Sequence, residues 1–318
     1  MKKLLILACL CMAWCSQLSA QGAPDQGRKI TFGDPFIMLY DGTYYAYGTH
    51  SDSGFGVLVS DDLKTWTPGQ GLAADGLVLH KDDVWGDRWF WAPEVYHIDG
   101  KFYMYYSADE HICVAVADSP LGPFRQTRKE PMLPGEKAID NSLFIDKDGK
   151  AYLFFDRFLD SGLTIFVAEL KKDLQTIRPG TVRRCIGMSQ DWEKVWPSVN
   201  EGPFVIEKDG TYYMTYSANS YESPAYGLGF ATASSPVGPW TKYEGNPILQ
   251  YPGGLQGVGH SATFTDKEGG LRIVFHAHAD KERIHPRAMY ISTVRFENRD
   301  GKEVMVIDPD YMVPYIKE

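Results

Sequence analysis

The sequence predicts an all-β fold, a five-bladed β-propeller, on three observations. A hairpin with a glycine at its turn recurs five times along the chain. Each recurrence opens a block of about 50–60 residues, a blade-sized interval. Within the blocks, short runs alternate apolar and polar residues, with little helical periodicity. One such block cannot bury both faces of its sheet, so neighbours must stack around a common axis. A β-sandwich is the rival arrangement, but it does not account for Asp-Gly hairpins at this spacing.

The chain opens on Met1-Lys2-Lys3, an apolar run from Leu4 to Trp14, and Leu18-Ser19-Ala20. That is the pattern of a signal peptide over residues 1–20, too short for a membrane span, and it implies export to the periplasm or medium. A lipoprotein is disfavoured. Cys9 and Cys11 come too early in the run, and Trp14 is a poor residue to precede a lipidated Cys15. Residues 21–318 are expected to form one catalytic domain, because no Ser- or Pro-rich linker or charge block divides them.

Block one runs from Asp34-Pro35-Phe36 through the Asp41-Gly42 turn, and block two from Trp91-Ala92-Pro93-Glu94 through Asp99-Gly100. Block three runs from Asp140 to Asp146-Lys147-Asp148-Gly149. Block four runs from Glu201-Gly202-Pro203 to Asp209-Gly210, and block five from Gly259-His260 to Lys267-Glu268-Gly269. In a propeller the first strand of every block lies at the axis, so residues at one phase converge. Counting back eight or nine residues from each turn glycine selects Asp34, Ala92, Asp140, Glu201 and His260.

The formal charge of −9 becomes −11 once Lys2 and Lys3 are removed. Such a chain is a poor match for nucleic acid or an anionic membrane and suits a neutral ligand. Cys113 and Cys185 are the only cysteines after residue 20, too few for a disulfide framework, and buried free thiols are expected. No CxxC, HExxH or cysteine-based zinc spacing is present, and no organic cofactor is implied.

Two carboxylates across a pocket are what glycosidic hydrolysis requires, one as acid and one as base or nucleophile. A third nearby raises the acid's pKa by like-charge repulsion. His260 is read either as a ligand to a central cation or as an axial hydrogen-bonding group. His276 and His278 alternate on the next strand as pocket lining or packing. Trp91, beside the axial position, is a candidate sugar platform, with Phe36 the second candidate. Arg287, in a loop before the last block's third strand, is placed to bind substrate hydroxyls. Glu94, inside a strand, is read as structural.

These residues together resemble glycoside hydrolase family 43. The resemblance rests on Asp34-Pro35-Phe36, Trp91-Ala92-Pro93-Glu94, Asp140 ahead of Asp146-Lys147-Asp148-Gly149, Glu201-Gly202-Pro203 and Gly259-His260. It implies a five-bladed propeller and hydrolysis with inversion. Asp34 would be the general base, Glu201 the general acid, and Asp140 the modulator of Glu201. It further implies a central calcium or other ion near His260, and an Arg287 that contacts a bound pentose. The expected activity is that of an exo-acting α-L-arabinofuranosidase on pentose-containing oligo- or polysaccharides, by a monomer. Endo-α-1,5-L-arabinanase, β-xylosidase and a non-catalytic sugar-binding propeller are the rivals.

Overall fold

The structure, a computed structural model, describes residues 27–317; the expected signal peptide at 1–20 lies outside the described residues. Five blade sheets, antiparallel from the inner strand outward, follow one another along the chain, with a small two-stranded sheet of Gly54–Phe55 and Leu79–His80 beside the first. Their innermost strands are Gly33–Tyr40, Trp91–Ile98, Ala138–Ile145, Asn200–Lys208 and Gly259–Thr265. Each pairs with the strand that follows it, Thr43–Thr49, Lys101–Ala108, Ala151–Leu159, Thr211–Ala218 and Leu271–Ala277 respectively. The five-bladed propeller is therefore the observed architecture.

Turn chemistry sets the hairpins. Asp41-Gly42, Asp99-Gly100 and Asp209-Gly210 each have both residues at positive φ, the requirement of a two-residue type I′ turn. Blades three and five use a longer loop, in which the Asp146 N–H donates to Lys150 O and the Asp266 N–H to Gly270 O. The difference adds one residue between inner strand and turn glycine.

Every inner strand carries a bulge near its start, seen as a register shift between Gly33 and Phe36, Trp91 and Glu94, Ile139 and Ser142, Glu201 and Phe204, and Gly259 and Ala262. The residue just after each shift begins has positive φ: Asp34, Ala92, Asp140, Gly202 and His260. This corrects the phase derived from sequence. Glu201 lies one position earlier and is equivalent to Gly33, Trp91, Ile139 and Gly259.

Four non-glycine residues in that left-handed conformation are costly, and a ring of bonds between blades holds them. Each bulge N–H donates to a buried or half-buried side chain on the second strand of the preceding blade. Asp34 donates to His276 Nδ1 (3.1 Å), Ala92 to Thr49 Oγ1 (2.9 Å) and Asp140 to Ser107 Oγ (2.9 Å). Gly202 donates to Asp156 Oδ2 (2.9 Å) and His260 to Ser217 Oγ (2.7 Å).

Below the bulges the axis is filled. Phe36 is buried and packs on Tyr96 and Phe204, with ring centroids 5.4 and 6.4 Å away. Glu94 is buried beside them and accepts from the Tyr96 hydroxyl at 2.5 Å. Burial pushes its carboxyl up to about 8 despite the bonds it accepts from Tyr96, Ser142 and Leu143. Phe36 is thus part of the floor of the core. Its selection as a sugar platform is corrected, because its ring is enclosed by other rings below the pocket.

Closure of the ring comes from both ends of the described chain. Tyr315–Ile316 pairs in parallel with Thr65–Trp66 on blade one, and Arg28–Lys29 pairs with Tyr315–Ile316. Cys113 and Cys185 are both free, the former buried. No helix among the described residues is long and apolar enough to cross a membrane.

Candidate active site

At the bulge end of the axis is a cavity of about 280 Å³. Asp34, Asp140 and His260 enter it from the bulge positions, and Trp91, Ile139 and Glu201 from the positions just before. Thr49, Tyr221, His285 and Arg287 complete the wall. The structure therefore brings together Asp34, Trp91, Asp140, Glu201, His260 and Arg287, and leaves out Phe36.

Asp34 is the most heavily bonded of the three carboxylates. Arg287 grips it with both arms, Nη1 to Oδ1 at 2.7 Å and Nη2 to Oδ2 at 3.1 Å. Thr49 Oγ1 donates to Oδ2 at 2.6 Å, and His260 Nδ1 lies 3.4 Å from Oδ1. Arg287 in turn rests over the Tyr221 ring, 4.8 Å from its centroid. Glu201 accepts one bond, from the buried Tyr226 hydroxyl at 2.7 Å. His260 Nδ1 is also 3.8 Å from Asp140 Oδ2, so its ring stands between two aspartates.

Two glycines make these contacts possible. A Cβ on Gly33 would meet Arg287 Nη2 at 2.2 Å, and a Cβ on Gly259 would meet the Tyr226 ring at 2.0 Å. Arg287 and Tyr226 hold the same place in their blades, directly ahead of the third strands Ala288–Arg299 and Gly227–Ala233. Each passes over the next blade's small residue to reach a carboxylate.

The family model described as Glycosyl hydrolases family 43 matches residues 30–302, all five blades. The chain belongs to this family. A crystal structure described as an endo-1,4-beta-xylanase from Bacteroides thetaiotaomicron is 43% identical and superposes with a TM-score of 0.85, over 92% of this chain and 99% of that one. A beta-D-galactofuranosidase from Aspergillus niger is 27% identical, over 77% of this chain and 73% of its own length. An extracellular exo-alpha-(1->5)-L-arabinofuranosidase from Streptomyces avermitilis is 28% identical, over 85% of this chain and 60% of its own length. The chain is thus a glycoside hydrolase of an inverting family.

In this family 43 pocket the carboxyls are pushed apart in acidity. Burial opposes the charge on Asp34, but Arg287, His260, His276 and the Thr49 hydroxyl outweigh it and hold the group far below the usual carboxylate range. Burial pushes Glu201 up to about 7; Asp34 adds to the rise, while Tyr226 and Arg287 oppose it. Asp140 is pushed well above its ordinary value by burial first, then by Glu201 and Asp34. Like-charge repulsion therefore acts on Asp140, from Glu201 and Asp34, whereas the like charge that raises Glu201 is that of Asp34. Burial lowers both His260 and His276, with Arg287 adding to the effect and Asp34 opposing it.

A cation held directly by His260 does not fit this geometry. Its Nδ1 is turned toward Asp34 and Asp140, and no three His, Cys, Asp or Glu groups converge as a ligand set among the described residues.

Sequence reasoning missed Thr49, Tyr226, Asp156, Tyr221 and His285. The signal for two of them was present. Thr49, Ser107, Asp156, Ser217 and His276 each stand seven residues after the turn glycine of their blade. His276, read as lining or packing, is the blade-five member of that ring, and His278 Nε2–H donates to the Tyr221 carbonyl at 2.7 Å.

Proposed function

We propose that the protein hydrolyses α-L-arabinofuranosidic bonds at chain ends or side branches, with inversion, after export from the cell. The observation that carries this reading is the opposed acidity of Asp34 and Glu201 across one small cavity. Asp34, ionised through its grip by Arg287, acts as general base on a water. Glu201, which keeps its proton to about pH 7, protonates the leaving oxygen. Asp140 tunes Glu201 from below. Trp91, half-buried and stacked on Trp89 at 5.7 Å, offers its face to the sugar ring.

A cavity of about 280 Å³ supports exo action, since it suits a single sugar ring and the attacking water, which occupies about 30 Å³. The relatives' names range over arabinose-, xylose- and galactofuranose-directed activities. Endo action is the second reading. A groove of about 760 Å³ shares Thr49, His285 and Arg287 with the cavity and provides room for further sugar units.

Product analysis on arabinan, arabinoxylan and aryl pentosides, with the first-formed anomer followed by NMR, tests this. Release of monomeric arabinose with inverted configuration is expected. Internal cleavage of arabinan to oligomers would favour the second reading. Cleavage of no pentoside, with binding of an oligosaccharide, would replace both by a sugar-binding role. Asp34→Asn and Glu201→Gln should each abolish turnover while leaving the fold intact, as read by circular dichroism.

A further inference from the structure

Asp156 is a fully buried carboxyl for which the roles above give no use. It stands on the second strand of blade three, register-paired with Ile139 and so beside Asp140. Its Oδ2 accepts the Gly202 N–H at 2.9 Å, next to Glu201. Its Oδ1 is buried and receives no N–H or hydroxyl donor among the described residues. The Asp140 side chain lies close enough for a carboxyl–carboxyl hydrogen bond. Such a bond requires a proton on one of them.

Blade one shows what that arrangement does. At the equivalent position, the Thr49 hydroxyl accepts the N–H of the next blade's Ala92 at 2.9 Å and donates to its own blade's Asp34 at 2.6 Å. Asp156 has the same two neighbours, Gly202 N–H and Asp140. A hydroxyl always has a proton to donate. A carboxyl can take the same place only when it is protonated.

The surroundings decide which aspartate keeps the proton. Asp140 lines the cavity, lies 3.8 Å from His260 Nδ1 and feels the Arg287 charge. Asp156 faces Asp140 and Glu201 on the axial side and the Cys185 thiol on the outer strand, and it makes no ion pair among the described residues. Two touching carboxylates in a dry site cannot both ionise, and negative charge settles where cations stabilise it.

We propose that Asp156 is kept as the neutral carboxylic acid, donating its Oδ1 proton to Asp140. It is a positioning residue. By supplying that bond it orients Asp140 and allows Asp140 to carry charge beneath Glu201, while its other oxygen fixes the backbone at Gly202. Burial first, and then like charge, raises both Asp156 and Asp140 well above the ordinary aspartate value, while the bond between them acts in opposite senses, raising Asp156 and lowering Asp140.

The kinetic arm of the test rests on the function proposed above; the spectroscopic arm does not. Asp156→Asn keeps a donor for Asp140 and an acceptor for Gly202, whereas Asp156→Ala keeps neither. In Asp156→Ala, Asp140 holds its own proton, repels Glu201 less, and the alkaline limb of kcat/KM moves to lower pH with a loss of roughly tenfold or more. Asp156→Asn should rescue most of that loss and restore the limb. A limb displaced equally in both variants would show that Asp156 acts as a charge and would overturn the proposal. So would an unaltered profile in Asp156→Ala. If Asp156→Ala does not fold, the Asn variant still decides by whether it keeps the parent profile. Independently, infrared spectra of protein carrying isotope-labelled aspartate carboxyls should show a protonated-carboxyl band at neutral pH that disappears in Asp156→Asn. Persistence of that band would assign the proton elsewhere and refute the idea even in a protein that cleaves no pentoside.

Discussion

Arg287 is where a single residue's geometry most constrains the chemistry. From sequence it was expected to meet substrate hydroxyls; in the structure both arms of its guanidinium are committed to Asp34. A bidentate pair of this kind holds the carboxylate in one orientation as well as in one charge state. Its reach depends on Gly33, where any side chain would occupy the guanidinium's space. Gly33→Ala is therefore expected to displace Arg287 and lower kcat by more than tenfold, with little change in melting temperature. Parallel kcat and thermal-unfolding measurements check it. A fully active Gly33→Ala would mean that the Asp34–Arg287 pair is dispensable.

Among the elements, the hairpins determine which residues share a height along the axis. Trp91 and Glu201 are equivalent positions on two inner strands, both one step ahead of the bulge. Trp91 thus flanks the cavity at Glu201's level, supported from outside by Trp89, over which Arg88 lies at 4.0 Å. Trp91→Ala should raise KM about fivefold, from loss of roughly 1 kcal/mol of stacking, with kcat changed less. Steady-state kinetics on a small pentoside reads the split. A changed kcat with constant KM would place the indole in the chemistry instead.

The same scale shows what could be read from sequence. The repeated turns disclosed the blade count, and their phase disclosed Asp34, Asp140 and His260. Glu201 was selected through a tolerance of eight or nine residues, which hid its displacement by one. The turn types resolve it. Asp209-Gly210 is a two-residue turn like Asp41-Gly42, so eight residues back is Gly202. The longer loops at Asp146–Lys150 and Asp266–Gly270 account for nine. Applied to the second strands, the same counting finds Thr49 and Asp156. It does not find the Arg287–Asp34 pairing, because residues 253 apart meet only through ring closure. Nor does it exclude Phe36, whose burial is set by neighbours from other blades.

For the whole molecule, closure is the condition on which the site depends. Blade five must be held against blade one for His276 and Arg287 to meet Asp34. The clasp is short: besides its strand pairing, the Tyr315 N–H donates to Lys64 O at 3.0 Å and the Lys317 N–H to Trp66 O at 2.9 Å. Deleting the chain from Tyr315 onward exposes the outer edge of blade one and removes these bonds. A melting temperature lowered by several degrees is expected, and calorimetry of the truncated protein reads it. An unchanged melting temperature would show that packing between blades one and five suffices.

The opposed acidity of Asp34 and Glu201 belongs to this scale too, since blades one, four and five all contribute to it. It is tested most directly by the pH dependence of kcat/KM on a pentoside the protein cleaves. An acid must be protonated to act, so activity should be present below about pH 7 and fall about tenfold per unit above it as Glu201 ionises. A base must be ionised, and Asp34 is held far below the usual range, so no loss should occur on the acid side near pH 4, where an ordinary aspartate titrates. A rate that persists above pH 8, or an acid limb near pH 4, would contradict the assignment of these two roles.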